Sequence, residues 1–420
     1  MSGLLMIVRR SLRRHWLSTT ITAASTALAT GLVMAVFAVS QQARLAFAGG
    51  NLGFDAVLGA RGSQVQLVLN AVFHLETSPG NVPWELYEEL AADPRVRVAL
   101  PYAVGDNYEG HRVVGTTVAL FEEVLDGEER PLQLTPGSRP FDPGRREAVL
   151  GSRVAAETGL RVGSHLHPSH GVTENAVEEH VHEEEFVVVG VLEPTGTPTD
   201  RVVWIPIEGV WRMDGHRLRG TGEEYEPQDG VAIPDEHKEL SAVLLKLTSP
   251  QAGFSLSNQI NRIGKEATLA WPVGATMAQL FDKLGWMARL LELVAQLVVV
   301  VAAGSILASL YNTMNERRRE FAVLRSLGAR RATIFTVIVL EAEAVALLGC
   351  AGGYAVFAAI LLGAANLVRE RTGVVLDPWA WHPALLWTPV GMAVLGALAG
   401  LLPALRAYST DVARTLARGS

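Results

Sequence analysis

Five of the 11 histidines fall between residues 165 and 182: His165, His167, His170, His180 and His182. Glu174, Glu178, Glu179, Glu183, Glu184 and Glu185 are interleaved with them. Imidazole and carboxylate are the donors that Zn²⁺ and related ions take. On extended backbone His165 and His167 point the same way, and so do His180 and His182. The tract reads either as a metal site built from these five histidines or as a solvated polar loop between two strands. His74, His111, His216, His237 and His382 stand alone and read as ordinary surface residues. A second charged run, Glu316-Arg317-Arg318-Arg319-Glu320 followed by Arg325, is set among apolar neighbours. Glu341 and Glu343 lie inside an apolar stretch, where an acid marks either function or an anchor to nearby bases such as Arg330 and Arg331. No nucleophile–base pair stands out, and no G-x-x-x-x-G-K-[ST] phosphate loop occurs, so ATP hydrolysis by these residues is not expected.

The elements that must carry these residues are dominated by apolar runs. Hydrophobic residues make up 49% of 420 residues, charged ones only 19%. Leu17–Val39, Leu290–Tyr311, Thr333–Leu362 and Leu385–Leu405 are nearly free of charge. About 20 apolar residues cross a hydrocarbon core, and only helices or closed barrels satisfy their backbone there. Four membrane helices follow. Leu17–Val39 exceeds the apolar core of a cleavable signal, so it reads as a retained anchor.

Basic residues set the orientation. Arg9, Arg10, Arg13 and Arg14 precede the first span; Arg317, Arg318, Arg319, Arg325, Arg330 and Arg331 follow the second; Arg406, Arg414 and Arg418 follow the last. Both termini and the loop 313–332 are therefore expected in the cytoplasm. Residues 41–284 then lie outside, with 20 basic and 35 acidic residues and a formal charge of −15. Such an acidic domain excludes nucleic acid as a partner and attracts cations. The single cysteine, Cys350, falls in the third span, so the outer domain depends on its own core.

The expected layout is a cytoplasmic tail 1–16, a span 17–40, and an outer domain 41–284 with an inserted lobe at about 140–236. A span 287–312, a cytoplasmic loop 313–332 and a span 333–363 follow. A short outer loop 364–384, a span 385–406 and a cytoplasmic tail 407–420 complete it. Within the outer domain, helices are expected at Trp84–Ala92, Ser152–Gly159 and Gly253–Gly264. Strands are expected at Val96–Val104, Arg112–Phe121, Glu147–Leu150, Val162–His167, Phe186–Leu192, Val202–Pro206, Leu240–Leu247 and Leu269–Pro272. Gly105, Asp106, Asn107 and Gly110 read as the turn between the first two strands. The fold class is a membrane protein of four transmembrane helices with a large two-lobed α+β domain inserted between the first and second.

Residues 312–331, Asn-Thr-Met-Asn-Glu-Arg-Arg-Arg-Glu-Phe-Ala-Val-Leu-Arg-Ser-Leu-Gly-Ala-Arg-Arg, are specific. With Leu340-Glu341-Ala342-Glu343, Gly349, Gly352-Gly353 and the closing Gly400-Leu401-Leu402-Pro403-Ala404-Leu405-Arg406-Ala407, they resemble the FtsX-like permease family of MacB-type exporters and lipoprotein-releasing permeases. Val149–Ala155, Val162-Gly163 and Phe186–Leu192 resemble that family's extracytoplasmic domain. The resemblance implies an ABC transporter permease of the bacterial inner membrane. Its loop helix, with Glu316, Arg317, Arg318, Glu320, Arg325 and a terminating Gly328, would dock on a separate cytoplasmic ATPase subunit. It implies pairing with a second permease copy or a paralogue, ATP used only through the partner, and a periplasmic adaptor or carrier as a further partner. His-rich insertions at this position look like those of a branch associated with zinc-responsive systems.

Three functions compete. The first is a mechanotransmitting permease that moves lipoprotein, lipid, peptide or drug through motions of its outer domain, since spans so apolar line no hydrophilic path. The second is a zinc-linked permease using the 165–182 loop. The third is a non-transport regulator of cell-envelope enzymes, disfavoured by the size of the outer domain.

Overall fold

The computed structural model describes residues 2–49, 53–122, 132–171, 181–264, 266–372, 375–377 and 380–408. The chain forms two compact units. One comprises Met1–Ala43, Leu284–Leu367 and Asp377–Ser420; the other comprises Arg44–Lys283 and Val368–Leu376.

In the first unit, four helices are long and apolar enough to cross a membrane: Trp16–Leu45, Gly285–Glu316, Arg331–Glu370 and Ala384–Arg406. Residues 2–14, expected as a tail, form a helix of their own, Ser2–Arg14, which buries Val8 and Ser11. The second span is part of one helix, Val273–Glu316, because no Gly–Pro break separates its polar start from its apolar run. The loop after it holds a short helix, Arg318–Ser326, here called the elbow helix.

Small residues set how closely the spans approach. In the third span Gly349 and Gly353, one turn apart, face Thr26 and Thr30 of the first. A Cβ added at Gly349 would collide with Thr26, and one at Gly353 would lie 2.7 Å from the Thr30 side chain. On another face of the same span, a Cβ at Gly400 of the fourth would meet Ala342 at 2.8 Å. Both are small-xxx-small seams, which bring backbones together where lipid offers no hydrophobic drive. The seam hydroxyls are satisfied within their own helix: Thr26 Oγ1 donates to the Thr22 carbonyl at 2.9 Å and Thr30 Oγ1 to the Thr26 carbonyl at 2.8 Å.

The second unit is built on one ten-stranded sheet. Its order is Ala267–Ala270, Ala56–Ala60, Ala242–Leu247, Val96–Tyr108, His111–Thr116, Val202–Pro206, Glu147–Leu150, Phe186–Val191 and His165–Leu166, and Ser169–His170 pairs off this path onto Val96–Tyr108. Strands from the inserted segment thus continue the sheet that the flanking segments begin. Period-2 alternation covers both faces. Leu58, Val113, Leu150, Ile205 and Leu245 pack in one core, while Val57, Val114, Val149, Trp204 and Leu244 pack in the other.

The strand Val96–Tyr108 differs from its expected end at Val104. Gly105, Asp106 and Asn107 stay in the strand as a bulge, where the register slips between Val104 and Asp106. The hairpin turn lies beyond, at Glu109 and Gly110, whose positive φ values of 48° and 79° fit a two-residue reverse turn. After Thr116 the expected strand gives way to a helical turn, Ala119–Glu122. The expected helix ending at Gly264 runs as Pro250–Asn258 and closes with a π-turn at Gln259–Ile263.

His74, expected at the surface, is half-buried, and its ring packs against Tyr102 and Trp204, with centroids 6.5 and 5.8 Å away. Its Nδ1 is sealed from solvent and lacks a hydrogen-bond partner among the described residues. Burial, reinforced by Arg112 and Arg201, lowers its pKa to about 3. The unfolded chain takes a proton at this ring near pH 6.5, whereas the folded chain resists until about pH 3. Stability fully present above pH 6.5 is therefore lost progressively as pH falls, on the order of 2 kcal/mol by pH 5.

Two outcomes are expected. Gly353→Leu forces the first and third spans apart, at a cost of about 1–3 kcal/mol, and should lower the detergent unfolding midpoint of the purified chain; an unchanged midpoint would refute the seam. His74→Asn, which tolerates the local φ of 54°, should flatten the loss of stability between pH 6.5 and 5, read by hydrogen exchange of residues 96–104.

Candidate functional site

The bulge in Val96–Tyr108 turns Asp106 inward, and the topology brings three histidines to it. His170 sits on Ser169–His170, which pairs with the bulged strand so that Asp106 opposes His170. The Asn107 side chain holds that short strand by donating Nδ2 to the Gly171 carbonyl at 2.9 Å. His182 lies beyond residues 172–180: its N–H donates to the Pro168 carbonyl at 2.9 Å, and Val181 bridges Ser169. His216 follows the helix Ile207–Trp211.

The ring nitrogens converge on one oxygen. His182 Nε2 lies 3.0 Å from Asp106 Oδ1, His216 Nε2 3.1 Å and His170 Nδ1 3.5 Å. The opposite nitrogens of two rings face backbone carbonyls, His182 Nδ1 that of Asp214 at 3.0 Å and His216 Nδ1 that of Val210 at 2.9 Å. Asp106 is 1% exposed and His182 2%, while the His170 side chain is 58% exposed. Burial alone would raise the Asp106 carboxyl. The hydrogen bonds from His170, His182 and His216 outweigh it and hold the group well below the usual carboxylate range. The bond to Asp106 in turn raises His170. A cavity of about 210 Å³ opens beside the group, with His170 and His216 in its wall.

The five histidines read from the sequence are thus divided. His170 and His182 join the group. His165 and His167 pair instead with Glu185 Oε1, at 3.0 and 3.9 Å, on the exposed side of the sheet edge. His180 lies outside the described residues. His216, expected to stand alone, belongs to the group, and Asp106, expected in a turn, supplies its carboxylate. Local spacing carried no signal for either, since the two are brought together across 110 residues of chain. His111 is also buried, with Nε2 3.3 Å from Glu157.

The charged run around the elbow helix folds differently from an array of outward charges. Arg317 is buried, donating to Ser11 Oγ at 2.6 Å and to Glu341 Oε2 at 3.1 Å, while Ser11 Oγ donates to Glu341 Oε1 at 2.5 Å. The base that holds Glu341 is therefore Arg317, whereas Arg331 stacks on Tyr408. Glu320 joins Arg317 to Arg14, and Glu316 lies 3.4 Å from His15 at the surface. The Arg318 side chain lies outside the described ones; Arg325 is half-buried. Glu343 is half-buried, its Oε2 lacking a hydrogen-bond partner among the described residues.

Gly328, with φ of 97°, ends the elbow helix in a Schellman motif, in which Gly328 N–H donates to Arg325 O and Ala329 N–H to Leu324 O. The helix buries Phe321 and Ala322 and leaves Val323, Leu324 and Leu327 exposed, Leu327 by 79%. A three-turn element thus turns an apolar face outward while a buried ion pair holds its root.

Residues 19–263 match the model of the MacB-like periplasmic core domain, and residues 293–412 match that of the FtsX-like permease C-terminal region. The chain belongs to the FtsX-like permease family. Among relatives, the lipoprotein-releasing system transmembrane protein LolC of Neisseria meningitidis serogroup B is 24% identical over 53% of this chain and 49% of its own length. The macrolide export ATP-binding/permease protein MacB of Nitrobacter winogradskyi is 28% identical over 56% of this chain and 34% of its own length. The match therefore spans half or less of each curated relative. The periplasmic region of MacB from Actinobacillus actinomycetemcomitans aligns with 55% of this chain and 94% of its own at 13% identity and a TM-score of 0.32. The extracellular domain of the transporter YknZ from Gram-positive bacteria aligns with 51% of this chain and 97% of its own, at 15% identity and a TM-score of 0.29. In this family member the elbow and its buried root fall inside the FtsX-like match, and the histidine group falls inside the MacB-like one.

Removing one partner of a buried ion pair strands the other and costs about 3–5 kcal/mol, whereas replacing both with apolar groups is close to neutral. Arg317→Ala and Glu341→Ala should each lower the unfolding midpoint of the chain in detergent, and Arg317→Met with Glu341→Leu should recover most of the loss. Strict additivity of the two single changes would show that the pair is not coupled.

Proposed function

We propose that this chain is the membrane permease subunit of an ABC transporter in the bacterial inner membrane. Both termini and the elbow face the cytoplasm, and residues 41–284 face outward. A separate ATPase subunit hydrolyses ATP and binds the elbow helix. The observation that carries this reading is the elbow itself, an exposed apolar face at Val323, Leu324 and Leu327 rooted by the Arg317–Glu341–Ser11 contact in the third span and the N-terminal helix. Force applied at that face reaches three helices through bonds rather than through flexible chain. Glu316 and Arg325 supply the polar rim of the docking surface; Arg317 and Glu320 work inward, as positioning residues.

The helix Val273–Glu316 has residues in both units. Its first turns place Val273 and Met277 in the outer core, and its last place Met314 against Phe321 of the elbow. The spans present mostly apolar side chains, which favours a cargo handled by the outer domain, such as a lipoprotein, lipid, peptide or amphiphilic drug. Leu291, Val294, Leu297 and Val301 of the second span are exposed, a face suited to lipid or to a second permease copy. A second reading, a permease linked to zinc, is favoured by the Asp106 histidine group.

Leu327→Glu places a charge on the proposed docking face without touching the buried root. In a complex co-purified with its ATPase and reconstituted in lipid, it should lower permease-stimulated ATP hydrolysis at least 10-fold while the chain alone keeps its unfolding midpoint. Stimulation at the level of the unaltered complex would defeat the assignment of the elbow.

A further inference from the structure

We propose that Asp106, His170, His182 and His216 bind one divalent transition-metal ion of the zinc class, and that the ion fastens both ends of the 171–181 insertion to the central sheet. This inference stands on the outer domain alone and does not rest on the permease reading.

The donor set is the first ground. One ligand atom from each of the four residues lies within 4.8 Å of all the others. The separations from Asp106 Oδ1 run from 3.0 to 3.5 Å, and a tetrahedron with metal–ligand bonds of about 2.0–2.1 Å has edges of about 3.3 Å. Three imidazoles and one carboxylate suit zinc and its neighbours and are poor donors for calcium or magnesium.

The tautomers are the second ground. With the Nδ1 atoms of His182 and His216 donating to the carbonyls of Asp214 and Val210, a neutral ring presents its Nε2 lone pair to Asp106. Lone pair would then face lone pair. Hydrogen bonds alone could satisfy the geometry only with two additional protons shared among the carboxyl and the two rings, whose centroids are 5.1 Å apart. One cation among the four donors removes the conflict, and the carbonyls become the outer shell that fixes the ring orientation of metal-bound histidines.

Two further features fit. Asp106 Oδ2 is buried without a hydrogen-bond partner among the described residues, so the carboxylate keeps unused donor capacity. The adjoining cavity, walled in part by His170 and His216, is a route for an ion to enter. Four protein donors fill a tetrahedral shell, as in sites that hold structure, and leave no open position of the kind hydrolytic zinc requires. The role that follows is a clasp. His170 and His182 stand on either side of the insertion, Asp106 on the central strand and His216 on a third segment.

The test uses the full chain without a polyhistidine tag, purified in detergent, stripped with chelator and titrated with Zn²⁺ against a chromogenic competitor. One equivalent should bind, Co²⁺ should give the visible absorption of a tetrahedral site, and zinc should slow amide exchange at Ser169–His170 and Val181–His182. Asp106→Asn, His170→Asn, His182→Gln and His216→Gln should each weaken binding at least about 100-fold, the upper end of what outer-shell changes alone cost. His165→Asn with His167→Asn should leave it unchanged. His170→Asn decides even if the buried variants fail to fold, because that side chain is largely exposed. Absence of stoichiometric binding, binding that survives His170→Asn, or binding lost with His165 and His167 would each overturn the proposal.

Discussion

A guanidinium and a carboxylate buried side by side at the end of an apolar bundle govern the membrane unit. Glu341 on the third span would be costly in hydrocarbon if it stood alone. Arg317 compensates it, and Ser11 bonds both. Because each group is tolerable only with the others in place, the N-terminal helix, the third span and the root of the elbow are held in one arrangement. The glycine seams do the complementary work along the lipid-facing length, where close backbone contact replaces charge as the source of specificity. Stiffness at the elbow and tight packing above it are two parts of one mechanical design.

The outer unit solves a different problem, in water and with a large excess of acid. Its sheet has apolar residues on both faces, so the acidic groups are left to edges, turns and insertions. Among the described residues of this unit Asp106, Glu147 and Asp200 are buried acids, and Asp106 is the most enclosed. The bulge that admits Gly105 and Asp106 into the long strand carries a carboxylate into the interior, and three imidazoles meet it there. A local irregularity of the backbone thereby becomes the focus of the domain's polar chemistry.

What could be read from the sequence follows the range of the interactions involved. The four spans were legible because twenty apolar residues leave few alternatives, and most strands were legible from their Val- and Ile-rich runs. The bulge was not, since Gly105, Asp106 and Asn107 are turn residues by composition and only pairing with His111–Thr116 and Ser169–His170 keeps them extended. His170 and His182 drew attention through local density. His216 and Asp106 did not, because they are neighbours in space and not in the chain. The acid at Glu341 was conspicuous, yet its partner Arg317 was read as facing outward, as any arginine in a charged loop would be. Helix geometry turned it inward.

The paired ends of the insertion carry a consequence for how this protein can vary. Ser169 bridges Val181 and Pro168 accepts from His182, so two points separated in the chain are held side by side at the sheet. Lengthening a loop whose ends are already fixed costs little, about 0.6 kcal/mol for each doubling. An experimenter can therefore graft a reporter peptide between these two points while the strands on either side keep their register.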